Sequence, residues 1–188
     1  MQIYFFLHLA QNNPAAKYMN FKDYIRDIPD FPKKGVVFKD ITPLLEDPKA
    51  FRETAAALLA FTDGLKVDKV VGIESRGFFF APLLADRLGA GFIPARKPGK
   101  LPHRIHRKEY DLEYGTDALE LPAESISPGD RILVHDDVLA TGGTARAICD
   151  LVTELGGEVV QCNFLIELSF LKGRTRLDGF PLKSLITY

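Results

Sequence analysis

This sequence of 188 residues has few cysteines, almost no net charge and no hydrophobic run long enough to cross a membrane. The 24 lysines and arginines nearly balance the 25 aspartates and glutamates, so the net charge of −1 gives no reason to expect binding to nucleic acid. The spacing of the two cysteines, Cys149 and Cys162, fits no zinc or redox motif. Because both lie in apolar segments, we expect buried free thiols, which suit the reducing cytoplasm.

The apolar stretch at residues 3–10 is too short to span a bilayer, and no lysine or arginine precedes it as in a secretory signal. An Asn-Asn-Pro sequence ends the stretch, and the pattern of a folded domain begins after Met19. We therefore expect an N-terminal extension over residues 1–20, either disordered or the product of a mis-assigned start, and a single domain over residues 21–188. A structural arm is the alternative for the extension.

Strand-like and helix-like segments alternate along this domain. Buried strands are predicted over residues 69–73, 91–93, 132–134 and 159–166, with helices from 48, over 78–88 and over 144–155. This alternation predicts an α/β fold with a mostly parallel, twisted sheet and helices on both faces. Such sheets bind ligands at the carboxyl ends of their strands. Residues 96–114 are polar without a clean period and predict an irregular loop.

The most informative segment is residues 132–145, in which an apolar run is followed by two acids, a turn and a predicted helix. The turn comprises Ala140, Thr141, Gly142, Gly143 and Thr144. Its glycines let the backbone curl around an anion, and the helix N-terminus offers N–H groups. Asp136 and Asp137 suit sugar hydroxyls and Mg²⁺, which prefers oxygen ligands. The segment predicts a site for a phosphorylated sugar; a turn with a capping aspartate is the alternative, but it needs neither two acids nor paired glycines.

Basic residues in two other segments suggest a second anion. Arg76 follows the predicted strand 69–73, beside glycines at a strand-to-helix turn. Arg96, Lys97 and Lys100 belong to a stretch, residues 96–108, that contains no acid. A mobile lid that closes over pyrophosphate is the functional interpretation of this stretch, and a solvated surface loop is the alternative.

Five motifs in order resemble the adenine phosphoribosyltransferases, a branch of the type I phosphoribosyltransferase family. They are F-P-x-x-G-V-V-F-K-D-I-T, E-S-R-G-F, R-K-P-G-K-L-P, D-L-E-Y-G-T and V-x-D-D-V-L-A-T-G-G-T, and they lie within residues 21–170. The resemblance implies Mg²⁺-dependent transfer of the 5-phosphoribosyl group from phosphoribosyl pyrophosphate (PRPP) to adenine, giving AMP and pyrophosphate. It also implies a small hood, a lid loop, a cis peptide near Glu74-Ser75 and a cytoplasmic homodimer.

The resemblance further assigns roles around the purine base. Glu113 would face N7 of adenine as general acid or base. Backbone groups of Val37 and Lys39 would read the edge of the base, and Phe38 and Leu168 would pack on its two faces. From local sequence alone, Phe38 is equally interpretable as a core residue.

For PRPP, the resemblance implies that Asp136 and Asp137 hold the ribose hydroxyls, with Asp136 holding Mg²⁺, in part through water. The turn from Ala140 to Thr144 would bind the 5′-phosphate. The residues that would neutralise pyrophosphate, some of them across a dimer interface, are Arg76, Arg96, Lys97 and Lys100. His135 departs from the family pattern and is expected to be a satisfied histidine at a strand end.

Two other functions stay open. The first is a phosphoribosyltransferase for a 6-oxo purine such as xanthine or hypoxanthine. The second is a regulator that senses PRPP without catalysis, although such proteins usually carry an added DNA-binding segment, which is not expected here.

Overall fold

The computed structural model describes residues 19–111 and 116–188. The described residues fall into two compact units, the first ending at Phe51 and the second beginning at Arg52. The predicted N-terminal extension lies almost entirely outside the described residues. Among the described residues, no helix combines the length and the apolar character needed to cross a membrane.

The first unit contains an antiparallel pair of short strands. The 3₁₀ turn Phe21–Tyr24 precedes β1 (Arg26–Pro29), which pairs with β2 (Val37–Asp40). The helices α1 (Thr42–Glu46) and α2 (Pro48–Ala60) follow, and α2 continues into the second unit.

The helix predicted from residue 48 is present as α2, and Asp47 caps its N-terminus. Oδ1 of Asp47 accepts hydrogen bonds from the backbone N–H groups of Lys49 at 2.9 Å and Ala50 at 2.8 Å. These are two of the N–H groups that a helix leaves without an internal partner at its start.

The second unit is built around a five-stranded sheet in the order β4-β3-β7-β8-β9, in which all neighbouring strands are parallel. A separate antiparallel hairpin joins β5 to β6. The elements in chain order are β3 (Lys69–Ile73), a 3₁₀ turn (Arg76–Phe79), α3 (Ala81–Leu88), β4 (Gly91–Ala95), β5 (Ile105–Asp111), β6 (Thr116–Pro122), β7 (Arg131–Leu139), α4 (Gly143–Glu154), β8 (Glu158–Glu167), two 3₁₀ turns (Ser169–Leu171 and Gly173–Leu177) and β9 (Leu182–Thr187).

Helices cover both faces of this sheet, as predicted. Successive residues of a strand point to opposite faces. Val71 and Ile73 of β3 belong to the buried core that also contains Ile148 of α4. Gly72 lies between Val71 and Ile73 and faces the opposite side of the sheet. A Cβ added to Gly72 would lie 2.7 Å from the Cβ of Ala81 in α3. The predicted α/β fold with a parallel sheet is therefore confirmed.

β7 and β5 show how the structure differs from the prediction. β7 does not stop at Val134 but continues to Leu139, because its backbone pairs with β8 on past the two aspartates. β5 lies in the segment predicted to be irregular. Most of its side chains are polar and at least partly exposed, so its sequence lacks the hydrophobic alternation that is typical of a strand. Its extended conformation is stabilised by pairing with β6.

Candidate active site

The predicted phosphate turn lies between β7 and α4, at the carboxyl end of the sheet. Gly142 has φ +81°, a conformation that favours glycine, and it caps α4. The first backbone hydrogen bond of the helix runs from N–H of Arg146 to the carbonyl of Gly142 at 2.9 Å. A cavity of about 60 Å³ is bordered by Asp136 and by four residues of the turn, Ala140, Thr141, Gly142 and Thr144. The structure thus brings the predicted turn and one predicted acid to the same cavity.

A second segment shapes this turn, and sequence reasoning missed it. A Cβ on Gly173 would collide with the carbonyl oxygen of Ala140, and a Cβ on Gly142 would collide with that of Gly173. In the same segment, the N–H of Leu168 donates to the carbonyl of Leu139 at 2.9 Å. Residues 168–173 therefore contact the phosphate turn at two points. No local signal marks Gly173, since the contact joins residues more than thirty positions apart.

Asp136 and Asp137 are consecutive residues in the C-terminal half of β7. The N–H of Asp137 donates to Oδ1 of Asp136 at 2.9 Å. Burial and the charge of Asp137 together raise the pKa of Asp136 well above its ordinary value. Burial also raises the pKa of Asp137, although the nearby Arg76 guanidinium opposes this rise. Two buried carboxylates with raised pKa values favour a positively charged partner.

Arg76 supplies part of that charge. Its Nε lies 2.8 Å from Oδ2 of Asp137, an ion pair without the alignment of a hydrogen bond. Gly77 permits this approach, because a Cβ there would lie 2.9 Å from the carbonyl oxygen of His135 and 3.1 Å from Oδ1 of Asp136. The structure therefore brings Arg76 and the two aspartates together.

The donor set at these aspartates fits Mg²⁺. Among residues 19–111 and 116–188 there is no cluster of three or more metal-binding side chains. Mg²⁺ commonly uses one or two carboxylates and fills its other positions with water and substrate phosphates. The raised pKa values of Asp136 and Asp137 point the same way, since a cation would relieve the cost of burying both charges.

Three of the four predicted basic residues contact Glu74, whose role as their hydrogen-bond acceptor sequence reasoning did not predict. The Glu74 side chain is 9% exposed. Its carboxylate accepts hydrogen bonds from Arg96 Nε at 3.0 Å, from the Lys97 backbone N–H at 2.8 Å and from Lys100 Nζ. Burial by itself would raise the pKa of Glu74, but these donors lower it to about 2. The Glu74-Ser75 peptide is cis, as the resemblance implied.

The side chain of Lys97 turns toward the β5–β6 hairpin. Its Nζ donates to the hydroxyl of Tyr110 at 2.9 Å and to the carboxylate of Asp117, two residues that pair across the hairpin. These two bonds outweigh burial and raise the pKa of Lys97. The four predicted pyrophosphate residues are thus divided among three acids.

The predicted base-reading segment lies in the first unit, on β2. The Val37 side chain is exposed and the Phe38 ring is half-buried, packed edge to face on Phe31 with the ring centroids 5.1 Å apart. Nζ of Lys39 donates to Asp27 at 2.7 Å. Phe38 is therefore not a fully buried core residue. Leu168 is half-buried at the end of β8 in the second unit.

Glu113, the predicted acid or base, lies outside the described residues. His135 is fully buried, with Nδ1 2.5 Å from Oδ1 of Asn163 and no hydrogen bond to Nε2 from the described residues. It is thus satisfied at one nitrogen only, and burial lowers its pKa to about 4. Cys149 and Cys162 are buried free thiols with their sulfurs 3.4 Å apart, as predicted.

Comparisons with known proteins agree with this geometry. The family model described as "Phosphoribosyl transferase domain" matches residues 44–177. An adenine phosphoribosyltransferase of Christiangramia forsetii is 61% identical over 170 residues, which is 90% of this chain and 99% of the relative.

Solved structures extend the comparison. Adenine phosphoribosyltransferase from Thermoanaerobacter pseudethanolicus superposes with a TM-score of 0.87 at 52% identity, covering 89% of this chain and 98% of that one. The Saccharomyces cerevisiae enzyme, solved with an imino-altritol bisphosphate and adenine, has a TM-score of 0.83 at 40% identity and covers 88% and 96%. This chain therefore belongs to the adenine phosphoribosyltransferase family.

Proposed function

We propose that this protein transfers the 5-phosphoribosyl group of PRPP to adenine, giving AMP and pyrophosphate in purine salvage. The observation that carries the proposal is the phosphate turn at the start of α4, with Asp136, Asp137 and Arg76 beside it. This arrangement supports binding of a sugar that carries a phosphate at one end and a larger anion at the other. The purine specificity is supported by the names of the relatives.

Each part of PRPP has a proposed site. The backbone N–H groups from Ala140 to Thr144 would hold the 5′-phosphate, assisted by the hydroxyls of Thr141 and Thr144. Asp136 and Asp137 would accept hydrogen bonds from the ribose hydroxyls. Asp136 would hold Mg²⁺, in part through water, together with oxygens of the substrate.

The reaction breaks the bond from C1 of the ribose to pyrophosphate and forms a bond from C1 to N9 of adenine. Positive charge develops at C1, and negative charge develops on the leaving pyrophosphate. Arg76, Arg96, Lys97 and Lys100 would stabilise the leaving group, because fixed cations act strongly where charge develops. When bound, Mg²⁺ would supply further neutralisation of that charge.

Adenine must lose a proton as it attacks. Glu113 would take part in this transfer at N7, as a general acid or base. Backbone groups of Val37 and Lys39 would match the donor and acceptor edge of adenine, and Phe38 and Leu168 would contact its two faces. A 6-oxo purine reverses that edge and would leave polar groups unpaired, the kind of mismatch that discriminates strongly.

We further infer a single domain over residues 21–188, a homodimer and a cytoplasmic protein with no nucleic-acid or membrane partner. The two buried free thiols support a reducing compartment. Adenine and PRPP are the proposed small-molecule partners. The proposed lid, residues 96–108, runs from the end of β4 into the first residues of β5.

The direct test is product formation. Protein incubated with adenine, PRPP and Mg²⁺ should release AMP and pyrophosphate in equal amounts, measured by chromatography and a coupled pyrophosphate assay. A transferase for 6-oxo purines would instead consume hypoxanthine or xanthine. Binding of PRPP without turnover of any base, together with salt-sensitive DNA binding, would point to the regulator and contradict the proposal.

A further inference from the structure

Every basic side chain proposed to bind pyrophosphate is already paired with an acid of the same chain. Arg96 and Lys100 share Glu74. Lys97 pairs with Asp117, and Arg76 pairs with Asp137. Four cations therefore face three carboxylates, so the site is much less positive than its basic residues alone suggest.

The Glu74 carboxylate is more deeply buried than Arg96 and Lys100, the two cations with which it pairs. The Glu74 side chain is 9% exposed, whereas that of Arg96 is 31% exposed and that of Lys100 is 49% exposed. An anion arriving from solvent would meet the two cations first, with the carboxylate directly behind them. Because pyrophosphate is multiply negative, this carboxylate would repel it and would compete with it for the same N–H donors.

Glu74 stays negative under all ordinary conditions, since its three donors hold its pKa at about 2. The competition is therefore permanent and does not switch with pH near neutrality. A solvent-exposed acid would be screened by water and salt, but a carboxylate this deeply buried is screened much less.

Positioning alone does not account for Glu74, because Arg96 has other supports. Its backbone exchanges two hydrogen bonds with Glu120, at 2.9 and 2.8 Å. Its guanidinium carbon also lies 5.8 Å from the centre of the Phe78 ring. A glutamine at position 74 has the same shape and would leave this arginine in place, while removing the negative charge and the hydrogen bond from Lys100.

We propose that Glu74, with Asp117 in a supporting role, is a resident competitor of pyrophosphate that weakens its binding and so promotes product release. The proposal rests on the proposed function, because it presumes that pyrophosphate is the product that leaves these cations. It assigns a role to Glu74 and Asp117, two acids outside the predicted site: they would set how long pyrophosphate stays bound.

The test is calorimetric titration of the full-length protein with magnesium pyrophosphate. E74Q keeps the shape and two acceptor bonds but loses the charge, and it should bind pyrophosphate at least tenfold more tightly than the wild type. It should also be more sensitive to inhibition by pyrophosphate. The matched control E74D keeps the charge and should bind no more tightly than the wild type. Equal or weaker binding by E74Q would overturn the proposal.

A second variant covers the case in which E74Q does not fold. D117N removes the acid beside Lys97 and should also tighten pyrophosphate binding, by a smaller factor. Unchanged or weaker binding by D117N would contradict the role of Asp117, and damage to the fold cannot imitate a gain in affinity. If the wild type makes AMP but neither variant binds pyrophosphate more tightly, this inference alone fails. If the wild type neither binds pyrophosphate nor makes AMP, the proposed function fails with it.

Discussion

Gly173 and Gly142 lie so close to each other that neither has room for a side chain. A Cβ on Gly142 would overlap the carbonyl oxygen of Gly173, and one on Gly173 would lie 3.0 Å from the backbone nitrogen of Gly142. The phosphate turn is therefore fitted against a 3₁₀ segment that belongs to a different part of the chain. Both partners are backbone atoms, so neither can rotate away as the tip of a flexible side chain would.

We expect Gly173→Ala to weaken PRPP binding, because its methyl group must push Ala140 and the turn outward. A misplacement of this size would raise the KM for PRPP between about tenfold and about 100-fold. Steady-state kinetics with PRPP as the varied substrate measure the effect. The control is Gly91→Ala, where a Cβ would make only an ordinary contact at 3.4 Å. An unchanged KM in Gly173→Ala would show that the turn does not depend on this contact.

The double variant Asp136→Asn with Asp137→Asn should abolish Mg²⁺-dependent binding of PRPP. Removing both charges takes away the proposed carboxylate ligand of Mg²⁺ and the acidic partner of Arg76, so the affinity should fall at least about 100-fold. Calorimetric titration with PRPP, with and without Mg²⁺, is the measurement. Asp150→Asn, which changes a partly exposed acid of α4, provides the control. Binding at the wild-type level would refute the assignment of these two acids.

Glu113→Ala should reduce kcat much more than it reduces the affinity for PRPP. Loss of a general acid or base typically costs about 100-fold to 10,000-fold in rate. The control is Glu109→Ala, an exposed acid of β5 that pairs with Arg107 and has no proposed role. Steady-state rates and PRPP titrations of both variants separate the two quantities. A normal kcat in Glu113→Ala would remove this residue from the chemistry.

Glu74 should also contribute to acid stability. Its pKa falls from 4.5 to about 2 on folding, so the ionised form is favoured by the folded protein. The contribution to the free energy of unfolding is complete above pH 4.5 and is lost as the pH falls toward 2. Urea unfolding at stepped pH should show wild-type stability declining relative to that of E74Q in this window. Parallel curves for the two proteins would contradict the low pKa.

The phosphate turn could be predicted because its signal is local. Two acids, paired glycines and the start of a helix lie within nine residues, from Asp136 to Thr144. Each residue type there has a physical reason to belong to a phosphate-binding turn. The central strands β3, β7 and β8 were predictable for the same reason, since each contains a local run of buried apolar residues. β5 was missed because its own sequence lacks a strand-like hydrophobic pattern, and pairing with β6 stabilises it as a strand.

The contacts that were missed join distant parts of the chain. Glu74 binds residues 22 to 26 positions away. Gly173 contacts the phosphate turn, which precedes α4 in the chain. A single sequence shows which residue types are present but not which ones the topology of the sheet brings together. This is why Arg96, Lys97 and Lys100 were predicted to bind pyrophosphate, while their acidic partners Glu74 and Asp117 were overlooked.

The measurement that tests the central claim most directly compares kcat/KM for adenine with that for hypoxanthine, guanine and xanthine, each with saturating PRPP and Mg²⁺. If backbone groups of Val37 and Lys39 read the base edge, adenine should be preferred by about 10,000-fold or more. A 6-oxo purine used as well as adenine, or better, would keep the phosphoribosyl transfer but contradict the assignment of adenine as the substrate and the account of base recognition.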